Sequence, residues 1–462
     1  MPEPEEEDLF RVEANADKSL FVSMLTKDIE LLPAIMDLID NSVDSARATS
    51  PEDPSKHTVK IKITRDSFAI EDDCGGIDLT IARRYAFRFG RPSDYQGLPG
   101  SVGQFGVGMK RALFKLGSHF NVDSRSATTA FELDVDVDDW LAESGPDWQF
   151  KMKAVNPDYD SSAGGTGTRV TVTKLHSSVT EDFENSLVLA QLREQIRLRH
   201  QGIIELGLRV ILNGQKLRGF VPALMVGPDF APINKSIRIS TAGKADVFCK
   251  IIAGLAESAK AEDSKDDGDA EDFRRSGDAG WWLFCNDRLL LIAERTRLTG
   301  WGDAVASYHP QYRRFRGYVY LTSLDSSLLP WNTTKTNVDQ DSRIWRQVQG
   351  EMKSALVEVI SVINRLKKES ESAETAADMP LKSALEQARP IAVDRVPPSA
   401  TVVVPEVKPT PQRRRQKTTR KISYEVEKDE FLEVAELLDV TRGADVGRIT
   451  FDYFYEREVD GL

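Results

Sequence analysis

Residues 31–48, LLPAIMDLIDNSVDSARA, set the strictest condition on the fold. Leu31, Ile35, Leu38, Ile39 and Ala46 recur at helical spacing and form a stripe that needs a core to bury it. Asp37, Asn41 and Asp44 stand at i, i+4 and i+7 on the opposite face, with no Lys or Arg among them. Three short polar groups on one face suit solvent, or a divalent ion and its water, because hard cations take oxygen ligands. The core has to come from apolar residues further along the chain. HTVKIKITRDSFAIEDDCGGI alternates apolar and polar residues at period two, as a hairpin does, and ends in a Gly-rich turn. FNVDSR, AFELDVDVDDW and TRVTVTKL read as further strands of the same sheet. Helices and antiparallel strands in sequential runs predict an α+β layer sandwich.

A second feature is GSVGQFGVGMKRALFKLG, which places Gly100, Gly103, Gly106 and Gly108 just before a helical run beginning near Met109. Glycines let backbone N–H groups crowd around an anion, and a helix N-terminus adds its dipole, so this is a candidate phosphate cradle. It contains no Gly-x4-Gly-Lys-Ser/Thr, and no Gly-x-Gly-x-x-Gly follows a strand, so neither the Walker nor the dinucleotide fingerprint is present.

Composition narrows the classes. The formal charge is -12 over 462 residues, which argues against a uniformly basic coat for nucleic acid. The acidic start and the lack of any run of about 18 apolar residues predict no signal peptide, no membrane span and a cytoplasmic location. Cys74, Cys249 and Cys285 are scattered, without the spacing of a disulfide framework or a zinc site.

The first domain is expected over residues 1–178 and a second over 179–368, where Asn213-Gly214 between apolar runs marks a hairpin and GWWLFCNDRLLLIAE another. An acidic insert at 257–279 holds nine acids and four bases between residues 257 and 278, so it should be a solvated loop. Residues 341–368 form a helix with Trp345, Val348, Met352, Ala355, Val359, Val362 and Leu366 at 3-4 spacing, packed either along its own domain or in a dimeric coil. Residues 369–421 read as a disordered linker, Pro-rich and then basic, ending in seven bases among fourteen residues (408–421). Residues 422–462 regain apolar periodicity, as in a small helical docking module.

Taken in order, these pieces resemble the GHKL ATPases, the superfamily of gyrase B subunits, its heat-shock chaperones, histidine kinases, MutL and the MORC proteins, and are nearest in style to MORC and bacterial MORC-like chains. DLIDNSVDSA is similar to the first box, DDCGGI to the second, GQFGVGMKRA to the third and GTGTRVTV to the fourth, while LLPWNTTKTNVD looks like the transducer loop of a following domain. The resemblance implies a GHKL (Bergerat) ATP-binding α/β sandwich followed by a transducer-like α/β domain, with ATP and Mg2+ as ligands. It implies that Asp37 activates water for ATP hydrolysis, that Asn41 ligates magnesium, and that Asp44 supports the water network. Asp72 would accept from the adenine amino group, Gly76 would let the backbone approach the base, and Thr168 would support Asp72. Gly103, Gln104, Phe105, Gly106, Val107, Gly108, Met109 and Lys110 would wrap the phosphates, and Lys335 would reach the terminal one.

Two departures accompany the likeness. Cys74 stands where the family has the first Gly of its second box, and Asp37 stands where it usually has Glu. The shorter side chain reaches roughly 1.5 Å less, one C–C bond, so either the backbone compensates or turnover is slow. The resemblance further implies an ATP-dependent homodimer acting as a clamp, a protein partner for the C-terminal module, and a bacterial defence role in the style of those relatives. The basic segment could contact nucleic acid. The rival expectation is a pseudo-ATPase that binds ATP as a switch and hardly turns over.

Overall fold

The computed structural model describes residues 17–27, 29–90, 106–143, 148–240, 242, 244–257, 278–332, 335–372, 379–405, 422–423 and 425–458. Chain contacts divide it into two units, residues 1–405 and 406–462. The larger unit contains two large sheets and one two-stranded sheet among its described residues.

The first sheet has eight strands: β1 (Thr58–Ile63), β2 (Phe68–Asp72), β3 (Gly117–Arg125), β4 (Ala130–Asp136), β5 (Met152–Asn156), β6 (Gly167–Leu175), β7 (Arg209–Leu212) and β8 (Gln215–Lys216). Their spatial order is β5-β4-β3-β6-β2-β1-β7-β8. All pairs are antiparallel except β1 with β7. Period-two alternation sorts the side chains as the sequence requires. Val59, Ile61, Phe68, Ile70, Phe120, Val122, Val170 and Val172 are buried on one face. On the other face Lys60, Glu71, Arg169 and Asp123 stand side by side in register as a charged ladder.

Helices cover the apolar face: α1 (Lys18–Lys27), α2 (Leu31–Thr49) and α3 (Gly108–Leu116). Helix α2 lies at the centre. Its apolar stripe is buried, and so are Asp37, Asp40, Ser42 and Asp44. Helix α3 is held by an aromatic cluster in which Phe114 stacks on Trp140 and Phe89, with ring centroids 6.0 and 6.1 Å apart. Residues 137–140, the tail of the AFELDVDVDDW run expected as strand, instead open a short helix, Val137–Ala142. Asp136 caps it by accepting from the Asp138 and Asp139 N–H groups.

The boundary expected at 178/179 is corrected. The first core continues through Leu192 and Ile196 of α4 (Ser186–Arg199) to Val210, Leu212 and Leu217. The Asn213-Gly214 hairpin joins the first sheet, because β1 would otherwise present an unpaired edge over a buried face. Asn213 and Gly214 both have positive φ (46° and 81°), as a two-residue hairpin turn requires.

The second sheet runs in the order β10-β11-β14-β12-β13, from β10 (Ile233–Ile239), β11 (Val247–Leu255), β12 (Gly280–Cys285), β13 (Arg288–Glu294) and β14 (Phe315–Thr322), while β9 (Ala223–Val226) pairs elsewhere. Strand β12, GWWLFC, is buried throughout because both faces are covered. Trp281, Leu283 and Cys285 join the core under α5 (Arg343–Ser372), whereas Trp282 and Phe284 pack with Leu224, Val393 and Val396 on the other side. Helix α5 buries Trp345, Val348, Met352, Ala355, Val359 and Val362 against its own sheet, so its periodicity reflects packing within the chain.

The linker expected at 369–421 is also corrected. Helix α6 (Pro380–Gln387) buries Leu381, Ala384 and Leu385, and β15 (Arg389–Ala392) pairs with β9. The Pro and Val residues that suppressed a helical period there serve an extended segment on the core. Residues 373–378 and 406–421, with the basic run, lie outside the described residues, as do 258–277 of the acidic insert. The second unit contains α7 (Lys428–Leu437) and α8 (Gly443–Glu458).

Candidate nucleotide site

The site begins on α2. Asp37 is 3 % exposed and Asp40, one turn on, is 1 % exposed. The Asp37 carboxylate accepts from Arg111 Nη2 of α3 at 2.6 Å, and a Cβ on Gly108 would sit 3.0 Å from Asp37 Oδ2. Glycine at that position therefore lets the start of α3 lie against the acid. Asn41, next to Asp40, is exposed, while Asp44 is buried.

Lys335 comes from the segment between β14 and α5 and is 5 % exposed. Its Nζ lies 3.5 Å from Asp37 Oδ1 and 3.1 Å from Asp40 Oδ2. The loop that carries it is organised by Asn332, whose carbonyl accepts from the Lys335 N–H at 3.0 Å. The Asn332 side-chain oxygen accepts from the N–H of Thr336 at 2.9 Å and of Asn337 at 3.3 Å. Lys335 itself has φ 52°, a left-handed conformation uncommon outside glycine. Burial pulls its ammonium down from 10.5 to about 8; the Asp37 charge opposes that shift and the Arg288 charge adds to it.

Asp40 is the centre of a cluster that the local sequence pattern does not mark. His200 Nε2 lies 3.0 Å from Asp40 Oδ1, and the Arg288 guanidinium is ion-paired to Asp40 Oδ2. His200 follows α4, and Arg288 opens β13 just after the Asn286-Asp287 turn. That turn is docked on α2, since Arg47 Nη1 donates to the Asn286 carbonyl at 2.9 Å. Burial and the nearby Arg47 and Arg199 charges push His200 down to about 3, so it is neutral and donates to Asp40 through Nε2. Asp40 and Arg111 sit inside or beside the first and third boxes and could have been noticed there. His200 and Arg288 carry no local signal, because only the fold brings residues 160 and 248 positions further along the chain to Asp40.

Asp72 lies at the end of β2. Its Oδ2 accepts from Ser42 Oγ of α2 at 2.6 Å, and its Oδ1 from the Cys74 N–H at 3.0 Å. Burial raises its pKa above the ordinary carboxylate value, while these hydrogen bonds and one from the Thr168 backbone oppose the rise. Thr168 is its register partner on β6, with its hydroxyl 2.9 Å from Ser124 Oγ. Gly75 and Gly76 make the turn with φ of 100° and 71°, and a Cβ on Gly76 would strike the Arg125 carbonyl. Cys74 needs no left-handed backbone. Its carbonyl accepts from Ser45 and Thr49, which tie the turn to α2.

The residues expected to cradle phosphate are described in part. Gly103, Gln104 and Phe105 lie outside the described residues. Gly106 has φ 67°, Val107 precedes α3, and Gly108 and Met109 begin it. Lys110 is buried, and its Nζ donates to the Ala86 carbonyl at 2.9 Å and to the Gly106 carbonyl. The lysine thus binds the backbone that flanks residues 91–105. His57, Asp73 and Cys74 bring potential metal donors within 4.8 Å of one another. His57 is already occupied, with Nδ1 3.0 Å from the Asp73 carbonyl and Nε2 3.0 Å from Ser50 Oγ.

A carboxylate at the end of a strand, acids on a neighbouring helix and glycines at the next helix start lie together in an α+β fold of the GHKL ATP-binding type. Residues 29–161 match the family model described as Histidine kinase-, DNA gyrase B-, and HSP90-like ATPase. A comparison with curated proteins returned no match.

Proposed function

We propose that the chain is a magnesium-dependent ATPase of MORC-like type that works as a nucleotide-gated dimeric clamp. The observation that carries this reading is the meeting of Lys335 with Asp37 and Asp40, since a cation delivered from the loop after the second sheet's β14 can report on the terminal phosphate of ATP. Asp72 accepts from the adenine amino group, with Gly76 and Thr168 shaping the surroundings of the base. Gly103 to Lys110 enclose the phosphates, with Asp44 supporting the water network. Water attacks the terminal phosphorus and the bond to ADP breaks. Asp37 takes the proton from the water, and Lys335 balances the phosphate charge. The exposed amide oxygen of Asn41 suits magnesium, which takes one or two protein ligands besides phosphate and water. When bound, the ion would neutralise phosphate charge.

Binding then orders the two lobes and favours pairing of two chains. Exposed Leu432, Leu437, Phe451, Tyr453 and Phe454 on the helices of the second unit suit a protein partner, and the basic 408–421 segment suits nucleic acid. No described helix is long and apolar enough to cross a membrane. We place the protein in the cytoplasm, with defence as its biological setting.

A specific observation favours the rival reading of a binding switch with little turnover: Asp37 is both the shorter acid and already paired to Arg111. Steady-state phosphate release separates the two. Sizing with a non-hydrolysable ATP analogue should show more dimer than sizing with ADP, and Lys335→Ala should blunt the difference. Equal mass with either nucleotide would defeat the clamp.

A further inference from the structure

We propose that Arg288 is a positioning residue for Lys335, acting through Asp40 to keep the lysine poised between two carboxylates. The proposal rests on the reading of Lys335 as the residue that meets the terminal phosphate. Asp40 Oδ2 is shared by Arg288 and Lys335, and Asp40 Oδ1 faces His200. His200 is neutral, so it supplies a hydrogen bond without charge. The charge that balances Asp40 independently of Lys335 therefore comes from Arg288. Without it, the Lys335 ammonium would be the remaining cation on Asp40 and would settle there, away from Asp37 and from an incoming phosphate. With it, Lys335 is repelled as well as attracted, and it bridges to Asp37 at 3.5 Å.

The base of Arg288 is fixed from both lobes. The Asn286 side chain bonds the backbone of Ser323 in both directions, at 3.0 and 3.1 Å. Arg47 holds the Asn286 carbonyl, and Arg199 holds the Leu289 carbonyl at 3.2 Å. A hairpin tied down on each side of Arg288 delivers its guanidinium to one place, as a positioning group requires. The groups that face Lys335 are Asp37, Asp40 and Asp44 from α2 and Arg288 from the hairpin, with Arg111 behind Asp37.

The test uses the full chain and two variants, Arg288→Gln, which keeps a donor and removes the charge, and Arg288→Lys, which keeps the charge. Trace acetylation across pH, resolved at Lys335 by mass spectrometry, measures its proton affinity without relying on ATP turnover. The wild-type midpoint is expected near pH 8. In Arg288→Gln it should rise by about one unit, since a neighbouring cation no longer opposes the ammonium, and in Arg288→Lys it should stay near the wild-type value. Alongside this, Arg288→Gln should lower ATP turnover by about tenfold while half-saturation changes by less than about threefold, with recovery in Arg288→Lys. A midpoint unmoved in Arg288→Gln, or moved equally in Arg288→Lys, overturns the proposal. Failure of the nucleotide reading has a different signature: an ATP analogue that neither binds the wild type nor slows its Lys335 labelling, whatever the midpoints do.

Discussion

Replacing Asp37 with Asn separates the chemistry of that carboxylate from the electrostatics it supports. Size and hydrogen-bonding reach are kept, but the amide cannot take a proton, so hydrolysis should fall by about 10²–10⁴-fold while ATP still binds. The structure adds a cost in stability. Asp37 meets Arg111 at 2.6 Å and Lys335 at 3.5 Å, and both cations are buried. A charge-assisted hydrogen bond contributes about 1.5–3 kcal/mol and a neutral one about 0.5–1.5 kcal/mol, so the Arg111 contact alone should lose about 1–1.5 kcal/mol. The ceiling is about 3–5 kcal/mol, the cost of breaking a buried pair outright. Lys335 provides a second signal. Its folded pKa, about 8 against an ordinary 10.5, means that the native state releases this proton before the unfolded chain does. Stability from this group therefore rises with pH from about 8 to 10.5. Without the Asp37 charge, which holds the ammonium up, that rise should begin at lower pH. Urea unfolding at pH 7 and pH 9, with calorimetry of ATP binding and a phosphate-release assay, reads all three effects. Hydrolysis at the wild-type rate in the Asn variant would sink Asp37 as the base. An unchanged unfolding midpoint at pH 7 would refute the buried ion cluster.

Asp72→Asn should weaken ATP binding by about 1.5–3 kcal/mol, the scale of a hydrogen bond to a charged group; calorimetry showing normal affinity would remove the adenine assignment. Because burial raises the Asp72 pKa, wild-type affinity should fall on acidification at a pH above the ordinary aspartate value of 3.8, and this fall should be missing from the Asn variant. Asn41→Ala should make ATP affinity nearly insensitive to magnesium in a titration with and without chelator, and retained dependence would point to another ligand. Truncation after Pro405 removes the basic segment and should abolish any salt-sensitive DNA binding in a low-salt shift assay; unaltered affinity would place that binding elsewhere.

Local patterning marked out much of the first lobe. The stripe of α2 is buried where its period put it, β1 and β2 form the expected hairpin, and both Asn-containing turns open at their hairpins. These features are legible because backbone geometry imposes periods of 3.6 and 2 on any segment with a buried face. The helix at 341–368 was legible as a helix, but what it packs against was not. A heptad-like stripe fits a partner chain and a sheet equally well, and the apolar strands beneath α5 settle the matter.

Domain limits went wrong where pairing is non-local. Residues 209–212 look like the start of a new lobe until the open edge of β1 claims them. Residues 380–404 look like linker until β9 and the second core accept them. In the candidate site, Asp37, Asn41, Asp72, the glycines before α3 and Lys335 could be singled out from the sequence because each lies in a short ordered motif. The partners that give those side chains their electrostatic character were not. Arg288 and His200 are an ordinary arginine after a turn and an ordinary histidine after a helix. They become partners of Asp40 because folding removes all three from water, and a buried carboxylate must be met by donors from whatever part of the chain the fold brings there.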